Sequence, residues 1–246
     1  MTDVCPGFGT MRQPDFIDPM RHYLPEFSSS QPWHRQIVDR VVLLWPLKAV
    51  GTMIFMALFF WGYFAVLNNP LFAAVTMPAT FVDAWIPFST AAFPAYVSLW
   101  VYVSLPPALI GSLPSLLRFG VWIAALCLFC LGIFWLLPTA VPMADIDWTL
   151  HPEMAVIKGL DAAGNACPSL HVASAVFSAF WLQRLFRNID APRWLRGISA
   201  VHCLVILWST IATRQHVVLD VVAGVAVGVL FAWLSLRQVE RAGDTI

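Results

Sequence analysis

The chain contains repeated apolar stretches long enough to cross a lipid bilayer, and this feature restricts its fold more than any other. About 20 helical residues cross the roughly 30 Å of membrane hydrocarbon. Charged residues make up 11% of the 246, whereas about a quarter is usual in soluble domains. The sequence therefore predicts an all-α, polytopic membrane protein with six transmembrane helices. The predicted spans are 44–67, 88–111, 119–139, 169–186, 197–213 and 216–236.

The first 40 residues differ in composition from the rest of the chain. They contain five prolines and a run of three serines at 28–30, without the apolar core that a signal peptide requires. We expect residues 1–40 to form a flexible polar arm on the cytoplasmic side. Residues 41–246 are predicted to form one membrane domain.

The distribution of lysine and arginine predicts the orientation, because these residues concentrate in cytoplasmic loops. Only Lys158 and Arg214 fall on the opposite face. The remaining basic residues lie on one face of the predicted topology: Arg12, Arg21, Arg35, Arg40, Lys48, Arg118, Arg184, Arg187, Arg193, Arg196, Arg237 and Arg241. Both termini are therefore predicted to be cytoplasmic, in a plasma membrane or bacterial inner membrane.

Several classes of function receive little support. The formal net charge is zero and no basic stripe interleaves with aromatic residues, which argues against nucleic-acid binding. Cys127 and Cys130 form a C-x-x-C inside a predicted span, where cysteine behaves as a small hydrophobic residue. We predict no metal, no cofactor and no obligate protein partner; the acidic residues near His151 are interpreted as a solvated surface.

Three ionisable residues at the ends of predicted spans are the candidates for chemistry, because such groups are costly near lipid. His171 follows Ser169, a predicted N-cap, and so lies in the first turn of span four. His216 and Asp220 are four residues apart, which would place them on one helix face about 6 Å apart along the axis. Spans four and six run in the same direction, so both histidines are predicted at one membrane depth.

Two imidazoles, one of them beside a carboxylate, suit phosphoryl transfer. One histidine would attack phosphorus and the other would protonate the leaving oxygen. The cations on that face, Arg214 and Lys158, could offset the phosphoryl charge, and Arg214 is the better placed. The simpler alternative is that each histidine is a packed or interfacial residue, as we expect for His202 in span five, where it would bond a neighbouring helix.

These residues resemble the motifs of the type 2 phosphatidic acid phosphatase superfamily, P-S-G-H and S-R-x5-H-x3-D. Here they read Pro168-Ser169-Leu170-His171 and Ser209 through His216 to Asp220. Leucine replaces the motif glycine, threonine replaces the motif arginine, and the first motif, K-x6-R-P, is absent. These departures resemble the branch that includes fungal inositol phosphorylceramide synthase, with its P-S-L-H-x-A pattern.

The resemblance implies His216 as nucleophile, Asp220 as its partner and His171 as the acid for the leaving group. It implies phosphate binding by Ser169 and Arg214, whereas Lys158 is inferred from its position only. The expected activity is hydrolysis or transfer on a phospholipid or polyprenyl (di)phosphate through a phosphohistidine at the non-cytoplasmic interface. Alternatives are phosphoinositol or other headgroup transfer to ceramide or diacylglycerol, and non-enzymatic lipid or ion transport.

Overall fold

The computed structural model describes residues 31–152, 154 and 164–242, and this part of the chain is mostly helical. Two-residue strands β1 (Val75–Thr76) and β2 (Thr139–Ala140) pair in parallel, and 3₁₀ turns lie at Thr90–Ala92 and Trp148–Leu150. The helices are α1 (Trp33–Val42), α2 (Trp45–Asn68), α3 (Phe81–Trp85), α4 (Phe93–Val97), α5 (Leu99–Leu109), α6 (Leu113–Leu136), α7 (Leu170–Asn188), α8 (Arg193–Ala212) and α9 (Val218–Arg241).

Five helical segments are long and apolar enough to cross a membrane. On α2, large side chains such as Met53, Leu58 and Trp61 are exposed, as expected for a surface surrounded by lipid rather than water. The prediction of an integral membrane protein built from helices is confirmed at this level. The five segments are Trp45–Asn68, Thr90–Leu109, Leu113–Leu136, Arg193–Ala212 and Val218–Arg241.

The fourth predicted span, 169–186, forms helix α7, which is not among these five. It packs against α5, α6, α8 and α9, and Val172, Phe177 and Trp181 are fully buried in the core. Because its side chains meet protein instead of lipid, α7 does not need the hydropathy of a lipid-facing helix. The count of six spans, and with it the position of the termini, remains a prediction.

Helices α7 and α9 run parallel and in close contact. Gly224 of α9 lies against the start of α7 at Ser169, and Gly228 meets it one turn further on. Closer to the C-terminal ends, the Trp181 indole donates a hydrogen bond to the Ser235 hydroxyl at 3.0 Å. Small residues four apart allow two helix backbones to approach closely in a membrane. The N-termini of α7 and α9 therefore lie at the same end of the bundle.

The differences from the predicted boundaries are largest at two places. Helix α6 begins at Leu113 instead of 119, because the Ser112 hydroxyl caps its first turn and Pro114 favours a helix start. Residues 1–30 of the predicted arm lie outside the described residues, and Trp33–Val42 form α1. The extent of the arm remains a prediction.

Candidate active site

His171 lies in the first turn of α7. The Ser169 hydroxyl accepts a hydrogen bond from the Val172 N–H at 3.3 Å, so the predicted N-cap is confirmed. The imidazole Nε2 lies 2.9 Å from the hydroxyl of Tyr96, a buried residue of α4. Tyr96 was not predicted as a site residue, because nothing in the sequence of an apolar helix distinguishes its hydroxyl from that of a packed tyrosine.

His216 lies in the turn before α9, so the expectation that it shares a helix face with Asp220 is wrong. The Asp220 carboxylate accepts the N–H of Val217 at 3.0 Å, which starts the helix at Val218. The His216 N–H donates to the carbonyl of Thr210 at 3.1 Å. The two side chains are nevertheless close, since His216 Nδ1 lies 3.6 Å from Asp220 Oδ2.

The two histidines meet at one end of the bundle. Their ring centroids are 5.7 Å apart and the rings are inclined at 61°. His216 is buried, yet neither of its ring nitrogens has a hydrogen-bond partner among the described residues. Nδ1 is the ring nitrogen turned towards Asp220. The structure thus brings His171, His216 and Asp220 together, as the sequence indicated.

An apolar groove of about 650 Å³ leads away from the histidines. Its walls come from α2, α4, α5 and α6, and His171 and His216 line one end. From Tyr96 to Pro107 it follows the α4–α5 segment for about 16 Å at 1.5 Å per residue, roughly half the hydrocarbon thickness. At the other end the Lys48 ammonium donates to the carbonyls of Arg40 and Ala108 at 2.6 and 2.8 Å.

A second, smaller cavity of about 360 Å³ lies on another side of His216. Its lining includes Asp83, Asp145 and Arg214, so it is more polar than the groove. His216 lines both cavities. A group bound at this imidazole can therefore be approached from two directions.

Asp83 connects this cavity to the start of α9, a role that the sequence analysis did not identify. Its carboxylate accepts the N–H of Val218 at 2.8 Å, and its carbonyl accepts a bond from Arg214 at 3.3 Å. Burial by itself would raise the pKa of Asp83. The bonds donated by the N–H and hydroxyl of Thr80, then the Val218 N–H and the charge of Arg214, outweigh burial and lower that pKa.

The loop before α7 places the Cys167 thiol next to the Asp220 carboxylate. Burial, followed by the negative charge of Asp220, raises the pKa of Cys167 to about 11. This thiol therefore remains protonated at neutral pH, and its proximity adds no further negative charge near Asp220.

Of the residues predicted to bind phosphate, the structure describes Ser169 and Arg214. Ser169 is fully buried as the cap of α7, and Arg214 lines the second cavity, with a left-handed backbone (φ 56°). Lys158 lies outside the described residues. His202, expected to bond a neighbouring helix, has its Nε2 3.1 Å from the Ser98 hydroxyl.

Comparison with known families gives one match, to the C-terminal part of the chain. Residues 133–244 match the family model of the PAP2 superfamily, and this range includes His171, His216 and Asp220. The match agrees with the resemblance at the level of the superfamily, and it suggests a phosphatase or phosphotransferase that acts on phosphate esters. Searches of curated proteins and of solved structures found no match.

Proposed function

We propose that this chain is a membrane lipid-phosphate phosphatase or phosphotransferase that works through a phosphohistidine at His216. One observation supports this most directly: His216 and His171 face each other at the end of an apolar groove, with Asp220 beside His216. An acid, a nucleophile and a carboxylate partner are what phosphoryl transfer in two steps requires.

In the first step, His216 Nε2 attacks phosphorus and forms a P–N bond while the P–O bond to the lipid alcohol breaks. The His171 imidazolium donates its proton to the departing alkoxide. Asp220 offsets the positive charge that develops on the His216 ring through Nδ1. In the second step, neutral His171 accepts a proton from an attacking water, and inorganic phosphate is released as the P–N bond breaks.

Charge on the phosphoryl oxygens must be offset during both steps. Arg214 is our candidate cation, because it lines the second cavity together with His216. The Ser169 hydroxyl, whose oxygen accepts the Val172 N–H, keeps its own hydrogen for donation. Lys158 remains a candidate by its position in the sequence alone.

The substrate class follows from the groove. Its apolar walls suit the hydrocarbon tail of a phospholipid or polyprenyl (di)phosphate, with the phosphate at the histidines. The lysine and arginine distribution supports a site at the non-cytoplasmic interface of a plasma or bacterial inner membrane.

Transfer to a lipid acceptor is a second candidate function. The second cavity gives an acceptor hydroxyl a route to the phosphohistidine that does not pass through the groove. The P-S-L-H-x-A resemblance to inositol phosphorylceramide synthase favours ceramide or diacylglycerol as acceptor and phosphoinositol as the group transferred. Assays with and without these acceptors separate transfer from hydrolysis.

The test uses the purified full chain in nanodiscs with a panel of lipid phosphates and diphosphates. We expect His216→Ala to lower kcat by about 10⁴-fold or more, as loss of a nucleophile does. A rapidly quenched reaction with ³²P-labelled substrate should trap acid-labile label on the wild type and none on this variant. His34→Ala, a change at an exposed histidine, is the matched control.

Full activity of His216→Ala would exclude the mechanism. Uptake of substrate into proteoliposomes without release of phosphate would instead indicate transport. Label that remains on the protein after His171→Ala, with slow release of the alcohol, would support the roles assigned to the two histidines.

A further inference from the structure

Asn165 is a buried polar residue at the histidine end of the groove. Only 7% of its surface is exposed, and it lines the groove together with His171 and His216. Its amide nitrogen, Nδ2, has no hydrogen-bond partner among the described residues. Burying an amide N–H without a partner is costly, so such groups usually mark a site that a ligand or water completes.

The backbone on both sides of Asn165 is fixed without help from its side chain. Gly164 forms a bridge with Ala140 of β2, and the Ala166 N–H donates to the carbonyl of Thr139 at 3.2 Å. The Cys167 N–H donates to the Thr139 hydroxyl at 2.8 Å. The residue itself has a left-handed backbone with φ 57°, which asparagine tolerates better than most residues. The backbone at Asn165 is thus held in place by its neighbours.

The proposed reaction requires a hydrogen-bond donor at this end of the groove, because charge on the phosphoryl oxygens must be offset. Among its lining residues in the described part of the chain, the only lysine or arginine is Lys48, which lies at the far end and donates to two carbonyls. Arg214 lines the other cavity and donates to the carbonyl of Asp83. The hydroxyls of Tyr96 and Ser174 also line the groove but are bonded to His171. The Asn165 amide is therefore a donor beside the two imidazoles that has no partner among the described residues.

We propose that Asn165 is a phosphoryl-binding residue whose Nδ2–H donates to a non-bridging oxygen of the phosphate attacked by His216. The assignment rests on the proposed function and adds a donor that the sequence motifs do not include. Because charge on that oxygen changes as phosphorus is attacked, the bond acts on the transition state as well as on bound substrate.

The test measures kcat and KM of Asn165→Ala and Asn165→Asp with the best substrate of the panel, and their inhibition by orthovanadate and by inorganic phosphate. Loss of one hydrogen bond to a charged group should lower kcat/KM and the affinity for both anions by about 10- to 100-fold in Asn165→Ala. Asn165→Asp keeps the size of the side chain but places a carboxylate against the phosphate, so we expect a loss above about 100-fold.

Asn69→Ala and Asn69→Asp are the matched controls, because Asn69 is exposed and donates to the carbonyl of Ala65 at the end of α2. They should keep wild-type affinity for orthovanadate. A merely structural role of Asn165 would lower the melting temperature and leave anion affinity unchanged, and that result would overturn the proposal. If Asn165→Ala does not fold, Asn165→Ser is measured against the same two outcomes.

The His216→Ala variant separates this inference from the proposed function. Wild-type kcat/KM and anion affinity in both Asn165 variants, with an inactive His216→Ala, would overturn the role of Asn165 and leave the phosphohistidine mechanism intact. An active His216→Ala would overturn both.

Discussion

The contact between α7 and α9 depends on the absence of a side chain at Gly224. A Cβ atom there would lie 2.5 Å from the Ser169 carbonyl oxygen and 3.0 Å from Val172 Cβ. Carbon atoms in contact are ordinarily about 3.5–4.0 Å apart. The nearest obstacle is backbone, which cannot rotate away, so Gly224→Ala must push the two helices apart by up to about 1 Å.

The size of the effect follows from this displacement. Overfilling a packed interior costs about 1–3 kcal/mol, whereas alanine is favoured over glycine in a helix by about 1 kcal/mol. Gly132→Ala on α6, where a Cβ would meet nothing within 4 Å, gains the second contribution without the first. We therefore expect Gly224→Ala to be less stable than Gly132→Ala by about 1–3 kcal/mol.

Gly224→Ala should also lower activity. The Ser169 N–H donates to the Asp220 carbonyl at 3.0 Å, so parting the helices moves His171 relative to His216. A displacement of about 1 Å in a catalytic group can cost about 100-fold in rate. Melting temperature in one detergent and kcat/KM on one lipid phosphate would measure the two effects on the same preparations.

Comparison of Gly224→Ala with the control Gly132→Ala tests this reasoning. If Gly224→Ala matched Gly132→Ala in melting temperature and kept wild-type kcat/KM, close packing at Gly224 would not be what positions the two histidines. A lower melting temperature with unchanged kcat/KM would limit the role of this glycine to stability.

Three other predictions concern the surroundings of the site. Tyr96→Phe removes the hydrogen bond to His171 and should lower kcat by about tenfold while leaving orthovanadate affinity unchanged, and equal kcat would exclude a role for the hydroxyl. Folding lowers the pKa of Asp83 below its unfolded-state value of about 4. The charged carboxylate therefore stabilises the fold fully above a pH of about 4, and this contribution is lost as the pH falls through the lower pKa of the folded state. The melting temperature of Asp83→Asn should therefore lie below that of the wild type at neutral pH, with a gap that narrows in acid; a constant gap would contradict this. Gly120→Phe should fill the groove and lower kcat/KM for long-chain lipid phosphates by about tenfold or more, but not for a short water-soluble phosphate ester. Gly132→Phe on the same helix, outside the groove, is the control, and equal losses for both substrates would argue against a tail in the groove.

The sequence predicted that His171, His216 and Asp220 come together, because ionisable groups near lipid are rare and few explanations compete for them. It also predicted Ser169 as the cap of α7 from local rules. The start of α9 was predicted two residues early, although the signal was present: Asp220 is the acidic residue at the third helical position, which marks a helix start.

Residues that act across long stretches of chain were missed. Asp83 caps a helix 135 positions away, and no local pattern connects it with Val218. Tyr96 belongs to an apolar helix, and Asn165 lies in a loop without a motif of its own. Their roles follow from how α4, β2 and α9 meet, which depends on packing that one sequence does not reveal.

The burial of α7 has a consequence for biosynthesis. A segment enters the bilayer from the translocon according to its own apolar content, and α7 lacks the hydropathy of the other long helices. The helices that cover it, α8 and α9, are synthesised after it. We therefore expect the segment that carries His171 to insert together with its successors, so that a nascent chain ending before Val218 would leave it exposed to membrane quality control.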